Sequence, residues 1–406
     1  MAISLIFFTV YPAIAYNPFL SGLRSPTRGR SRSVALAASP GAGFLAGVDL
    51  ATRWQQLVGE GAIVATARPP SLEKDVTYGV RLREDNNFEE FVIGDANLNA
   101  TLEAGEAERL VYDGRFVASL QLVRTLRPPP TPGLTEMPPY DRSTDSFVMG
   151  PFRLQLRPRA ATIVVESSGH TWDCYHNISP CDRRGHFLLL PTIDQESNWR
   201  RQKLNARDCA DLVWMGRATN AVDGSVPPWL ITFNSVRAGA SQNHIHCHVW
   251  PNPPLPLAAK DLPYAVLEAE ACKKVSPIHL DNGVEIALLD YPCLTVRIRG
   301  GDHAHAGSAL AKVVEAVEGL GCAYNVGVLG DEVWVFVRSS SGERAPQLPS
   351  HKLGASEMMG HFHCGSLEQM DLVANPGFME DALSAVSADA SRVWQALTVC
   401  LKPQGV

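Results

Sequence analysis

The chain has 406 residues, 45% hydrophobic and 19% charged, which is ample material for a packed core and, on length, for two or three domain-sized units. A net charge of −6 gives no whole-chain signal for nucleic acid. Nine cysteines spread singly, with no Cys-x-x-Cys pair, argue against a disulfide framework and a cysteine zinc finger, and fit free thiols in a reducing compartment.

Residues 1–47 read as an address rather than as part of a fold. Met1 to Ala15 is almost wholly apolar and ends in the small-x-small pattern Ala13-Ile14-Ala15, but is too short to span a bilayer comfortably. Tyr16 to Gly47 then carries Arg24, Arg28, Arg30 and Arg32 among serines and small residues, and no acidic residue precedes Asp49. This arrangement resembles the bipartite plastid presequence of algae with complex plastids and implies a plastid location. Read as a plain signal peptide it implies secretion, and with a misplaced start codon a cytoplasmic protein.

Residues 48–150 form an N-terminal extension. Asp49 to Gly59 reads as a helix, and Ile63–Thr66, Tyr78–Leu82 and Phe116–Val123 read as strands. The run Arg127-Pro-Pro-Pro-Thr-Pro-Gly is a stiff irregular connection. A first unit over residues 151–258 follows, with strand patterns at Phe152–Leu156, Ala161–Glu166 and Gly185–Pro191. Its helix is expected over Ala206–Thr219, with Asn205 as N-cap and Asp208 in the first turn. Residues 259–406 repeat that flavour. Strands are expected at Val284–Leu289 and Cys293–Ile298, a helix over Ser308–Leu320, a hairpin around Gly330-Asp331 and a last helix from Asp381 to Leu401.

Chemistry concentrates in Ser241-Gln-Asn-His-Ile-His-Cys-His-Val-Trp-Pro251, where His244, His246 and His248, three of twelve histidines, alternate. In a strand all three imidazoles share one face, and Ile245, Cys247 and Val249 supply an apolar opposite face. Such a cluster suits a metal site, an acid/base cluster or a nucleophilic histidine held by its neighbours. Backbone N–H groups around Gly239 and Ala240 are suited to an anion. The pair His303-Ala-His305 reads as an exposed Gly-rich loop. His361-Phe-His363-Cys364 lacks a third well-spaced partner for a metal, so neither metal nor cofactor is expected.

Two blocks in order, Tyr175-His-Asn-Ile-Ser-Pro-Cys-Asp-Arg-Arg-Gly-His-Phe-Leu-Leu-Leu-Pro and Phe233-Asn-Ser-x-x-Ala-Gly-Ala-Ser-Gln-Asn-His-x-His-x-His, resemble the histidine-triad superfamily. The length resembles its phosphorylase/transferase branch, which implies an α+β fold of two tandem histidine-triad-like units, each an antiparallel sheet flanked by helices. The second block is similar to diadenosine polyphosphate phosphorylases. Leu262-Pro-Tyr, Gly283–Pro292, Ala323-Tyr-Asn and Gly354-Ala-Ser-Glu-Met-Met-Gly-His look more like GDP-hexose phosphorylases.

The resemblance implies that His246 attacks an α-phosphorus and carries a nucleotidyl group, with His244 holding the strand loop. It implies further that Ser241, within Gly239-Ala-Ser-Gln242, meets the phosphate, that Asn177 meets the ribose and that Asn234 faces the α-phosphate or sugar. Arg183 and Arg184 are placed to approach a distal or incoming phosphate, and His186 is read as a fold-supporting residue. His248 departs from the phosphorylase pattern, which has Gln there, and matches the hydrolases. A histidine donates a proton where an amide only hydrogen-bonds.

The expected partners are a nucleotide-sugar or dinucleotide substrate and inorganic phosphate, with no nucleic acid and no membrane in the mature protein. A homodimer is within what the resemblance allows. GDP-hexose phosphorolysis, which in the plant relatives feeds ascorbate synthesis, is the leading expectation. A dinucleoside polyphosphate phosphorylase or hydrolase comes next, and a non-catalytic nucleotide-binding protein third.

Overall fold

A computed structural model describes Leu45 and residues 48–59, 77–82, 88–93, 110–120, 137–145, 147–149, 154, 159–177, 181–182, 184–218, 228–254, 257 and 262–401. The expected presequence, apart from Leu45, lies outside the described residues. So do the Ile63–Thr66 strand, the Pro-rich connection, most of Phe152–Leu156, and Ile178, Ser179, Pro180 and Arg183.

The protein is α+β, built on a ten-stranded antiparallel sheet flanked by helices. The first five strands are β5 (Arg159–Val165), β6 (His170–His176), β7 (Phe187–Pro191), β8 (Trp229–Asn234) and β9 (Cys247–Pro251). The other five are β10 (Ile278–His279), β11 (Val284–Leu288), β12 (Thr295–Gly300), β13 (Ala323–Leu329) and β14 (Glu332–Arg338). Their spatial order is β10-β11-β12-β14-β13-β8-β9-β7-β6-β5. Read inward from either edge, each half places three consecutive strands, then its fifth, then its fourth. The halves meet where β8 pairs β13, with Asn234 opposite Asn325 and Phe233 opposite Val326.

One helix in each half crosses the same sheet face: α2 (Ala206–Arg217) and α3 (His303–Gly319). They pack so closely that a Cβ on Gly307 would lie 2.5 Å from the Cα of Ala210. With α1 (Leu50–Gly59) and α7 (Ala390–Leu401) they bury Trp54, Phe187, Leu212, Ile245, Cys247, Val313 and Leu397 in one core. The expected Asn205 cap is present as a reciprocal box. Asn205 Oδ1 accepts from the Asp208 N–H at 2.9 Å, and Asp208 Oδ2 accepts from the Asn205 N–H at 2.8 Å.

The opposite face is covered differently over its two halves. Over the second half lies a small sheet in which β4 (Phe116–Leu120) is flanked by β3 (Leu110–Asp113), antiparallel, and β15 (His361–Cys364), parallel. Beside it are α4 (Ala355–Met359), α5 (Leu367–Val373) and α6 (Phe378–Val386), enclosing Trp250, Trp334, Phe336, Phe362 and Leu383. Over β6 and β7 lies the irregular stretch holding Phe147, Val148 and Leu154, packed on Tyr175, Leu188 and Leu190. Covered on both faces, β7 is apolar throughout and buried at every position, as a strand in a closed layer must be. A separate hairpin joins β1 (Thr77–Leu82) to β2 (Phe88–Ile93).

Three expectations are corrected. The His303/His305 segment is not a loop: it is the first turn of α3, because Asp302 caps the helix by accepting from the His305 N–H. The last helix is two, since Ala388 N–H donates to the carbonyl of Val337 and Ser387 Oγ accepts from Leu294 N–H, which pins the break to the sheet. The third correction concerns the histidine strand itself.

Candidate active site

Only His248 of the three alternating histidines lies within a strand: β9 begins at Cys247, and Ser241 to His246 form a bent entry. The backbone there has found partners outside the ladder. Ile245 N–H donates to the carbonyl of Arg200, and His246 N–H to Oε1 of Gln202 at 2.8 Å. The same Gln202 side chain donates from Nε2 to the carbonyls of Asn234, at 2.8 Å, and His246, at 2.9 Å. One amide thus ties the end of β8 to the entry of β9, so the histidines stay close without being paired residue by residue. The His246 and His248 rings stand 5.2 Å apart in an edge contact.

Hydrogen bonds assign the protons. His246 Nδ1 lies 2.7 Å from the carbonyl of His244, an acceptor only, so Nδ1 carries the hydrogen and the lone pair is on Nε2. Burial holds this imidazole near a pKa of about 4, below the ordinary 6.5, outweighing the upward pull of the His244 carbonyl. His246 is therefore neutral at pH 7. A neutral imidazole with its lone pair on Nε2 is the nucleophilic form.

The assignment at His248 runs through His186, on the short turn before β7. The Cys181 N–H donates to His186 Nδ1 at 2.9 Å, so His186 is a neutral ring with its hydrogen on Nε2. That nitrogen lies 3.0 Å from His248 Nδ1 and 3.1 Å from the outer end of the Asn177 amide, which must present its oxygen there, since an N–H facing an N–H makes no bond. Donation from His186 to His248 Nδ1 leaves the His248 hydrogen on Nε2, where it serves as a donor.

His244 is held by a residue 99 positions earlier. Asp145 Oδ2 accepts from His244 Nδ1 at 2.5 Å, with both side chains almost fully buried. Burial pushes the Asp145 carboxyl up, but the His244 contact and the Phe147 N–H bring its pKa below the ordinary carboxylate value. The segment around Asp145 is applied to the site at several points. Phe147 packs edge-on to His246 at 5.2 Å and His244 at 5.6 Å, Tyr140 packs on His244, and Asn243 Nδ2 donates to the carbonyl of Pro138.

Asn234 ends β8 with its Oδ1 accepting from Asn325 Nδ2, at 2.7 Å, and from the Ala355 N–H, at 2.9 Å. Both donors belong to the second half. Asn325 is fixed in turn by the buried guanidinium of Arg338, whose other partners are the carbonyls of Leu353 and Gly342. Gly239 is confined to glycine twice over: φ is +92°, and a Cβ would come within 2.6 Å of the Leu353 carbonyl oxygen.

Ser241 is exposed, and Gln242 is half-buried on the same bend. Asn177 is buried beside His186. Arg184 is engaged with Asp182, through two hydrogen bonds of 3.1 and 2.8 Å, and with the carbonyl of Pro253, so most of its donors are already bound within the protein. Arg183 lies outside the described residues. The other histidine cluster is also buried: His361 Nε2 meets Ser119 Oγ at 2.8 Å, and His351 and His363 surround Glu357. Among the described residues no group of three or more His, Cys, Asp and Glu side chains is arranged to hold a metal ion, and no helix is long and apolar enough to cross a membrane.

No protein-family model matches the chain, and no curated protein matches it. Among solved structures, yeast Ap4A phosphorylase Apa2 is similar at 14% identity, covering 72% of this chain and 92% of that one with a TM-score of 0.44. The same yeast enzyme in complex with AMP gives 14% identity, 72% and 93% coverage and a TM-score of 0.41. A uridylyltransferase gives 12% identity, 54% and 76% coverage and a TM-score of 0.30.

Proposed function

We propose that the protein is a nucleotidyltransferase that cleaves a phosphoanhydride at the α-phosphorus of a nucleotide through a covalent nucleotidyl-His246 intermediate. The observation that carries this reading is the complementary pair of tautomers: a lone pair on His246 Nε2 beside a hydrogen on His248 Nε2.

In the first step His246 Nε2 forms a bond to the α-phosphorus while the bond to the bridging oxygen breaks, and the departing phosphate oxygen takes the proton from His248. In the second, an acceptor oxygen attacks the same phosphorus and returns its proton to His248. The P–N bond then breaks and His246 is neutral again.

Two substrate classes share this chemistry. The segments after the histidine run favour a GDP-hexose. The similar yeast enzyme is named for Ap4A, which belongs to the dinucleoside polyphosphates. Inorganic phosphate is the proposed acceptor, giving GDP and hexose 1-phosphate, or ADP and ATP. Water is the second reading, favoured by His248, which supplies a proton where the phosphorylase pattern has an amide.

Purified protein incubated with GDP-hexose or diadenosine tetraphosphate, with and without phosphate, separates these outcomes by its products. Phosphate-dependent nucleoside diphosphate supports phosphorolysis, and GMP or AMP without phosphate supports hydrolysis. Nucleotide binding without turnover supports a sensor. Full activity in His246→Ala refutes the nucleophile assignment. Residues 1–47 are proposed to direct the protein to a plastid, which a fluorescent fusion of that segment tests.

A further inference from the structure

We infer that Asp145 is a positioning residue for the nucleophile: by gripping Nδ1 of His244 it fixes the carbonyl that accepts the Nδ1–H of His246, and so keeps the His246 lone pair on Nε2.

The linkage is short and buried. The carboxylate meets His244 Nδ1 at 2.5 Å, and the carbonyl of that same residue meets His246 Nδ1 at 2.7 Å. Because His244 and His246 precede β9, that carbonyl has no ladder of its own to hold it. Its direction is set by three things: the Gln202 clamp at the His246 backbone, the Ile245 N–H bond to the Arg200 carbonyl, and the anchored His244 ring. Only the ring is held by a charged group.

Asp145 is well built for this work. Its other oxygen, Oδ1, accepts from the Phe147 N–H at 3.0 Å. One carboxylate therefore both holds His244 and folds the turn that lays Phe147 against the His246 ring. A charge-assisted hydrogen bond in a buried site holds a ring more stiffly than a neutral bond does. A drift of the His244 carbonyl away from His246 would let the His246 ring rotate or change tautomer, taking the lone pair off the line of attack. Nucleophile placement is steep in its consequences: a shift of about 1 Å costs on the order of 100-fold in rate. The groups facing Asp145 are His244, the Phe147 N–H and the hydroxyl of Tyr140.

The kinetic part of this inference rests on His246 being the nucleophile, and the tautomer part does not, so the two are read separately. In ligand-free protein with 15N-labelled histidine, the His246 ring of the wild type shows its hydrogen on Nδ1 alone. Asp145→Ala is expected to mix the two tautomers. Asp145→Asn, which keeps an acceptor oxygen, is expected to restore the single one.

On whichever substrate the wild type turns over, Asp145→Ala is expected to lower kcat about 100-fold with KM changed less than about threefold. Asp145→Asn is expected to recover at least about tenfold of that loss. Both variants lose the carboxylate charge that raises the His246 pKa, so the acid limb of kcat/KM moves to lower pH in both. Asp302→Ala, which removes the cap of α3 in the half without the triad, serves as the control for lost stability and keeps its kcat.

A His246 ring that holds its Nδ1 hydrogen in Asp145→Ala, or a kcat within twofold of wild type, overturns the inference. If Asp145→Ala does not fold, Asp145→Ser is read in its place, and a His246 ring that keeps its hydrogen on Nδ1 alone there overturns the inference equally. A wild type inactive on every nucleotide, with the tautomer lost in Asp145→Ala, instead refutes the proposed function and leaves the positioning intact.

Discussion

The buried neutral His246 makes fold stability depend on pH in a defined window. In the unfolded chain its imidazole takes up a proton below the ordinary value of 6.5, whereas in the folded protein it does so only near 4. Between those values the unfolded state binds one more proton, so stability falls as pH falls, by about 1.4 kcal/mol for each pH unit. Over the whole window this group costs about 3 kcal/mol, and below pH 4 its contribution is constant.

Other groups titrate in the same range, so the comparison is with His246→Gln, which cannot titrate there. Urea denaturation followed by tryptophan fluorescence, at half-unit steps from pH 7.5 to 4, gives both curves. The stability difference between wild type and variant should be flat above pH 7. It should then shift against the wild type by about 3 kcal/mol on going to pH 4. Two curves that stay parallel within about 0.5 kcal/mol would mean that His246 titrates normally, and the neutral-nucleophile argument would fail with it.

Four further outcomes follow from the geometry. Gly239→Ala forces a side chain into φ +92° and against the Leu353 carbonyl, and should lower stability by more than about 1 kcal/mol and reduce activity, read by melting temperature and turnover. Asn325→Ala leaves the Ala238 carbonyl and the Arg338 guanidinium each short of a partner, at about 1–3 kcal/mol per buried group, and frees Asn234 to move; melting temperature and KM report it. Asn205→Ala should cost about 1 kcal/mol, read by denaturation. His248→Gln keeps a hydrogen bond but not a transferable proton. Product analysis should show hydrolysis and phosphorolysis falling together, since the leaving group takes that proton in the step they share, and an undiminished rate of either would refute the assigned donor.

Much of the sheet was legible because its strands are short apolar runs bounded by turn residues. The β13–β14 hairpin around Gly330-Asp331 and the Asn205-capped α2 were readable from local pattern alone. Asp302 went unread as a cap because His303 and His305 look like loop residues until the N–H that Asp302 accepts is seen. The triad's chemistry was visible as spacing, but the reason for its geometry was not. Gln202 replaces two ladder bonds from a loop with no periodic signature, and Asp145 reaches His244 across 99 residues. Contacts of that range leave no trace in a single sequence, since any acidic residue in an irregular stretch looks the same. Asn325 and Ala355 did stand in segments that carry the resemblance, Ala323-Tyr-Asn and Gly354–His361, but nothing local to either says that it meets Asn234.

The β8–β13 seam also determines how the site responds to dilution. Asn234 takes its orientation from Asn325 and Ala355 across that seam, and both halves of it belong to one chain. Were the halves separate subunits, the pairing would weaken with concentration, and the site would lose its support as protein became scarce. Joined covalently, the seam closes as a first-order event at an effective concentration set by the chain itself. The half without the triad then acts as a permanently bound partner, and the fixed orientation of Asn234 does not depend on how much protein is present.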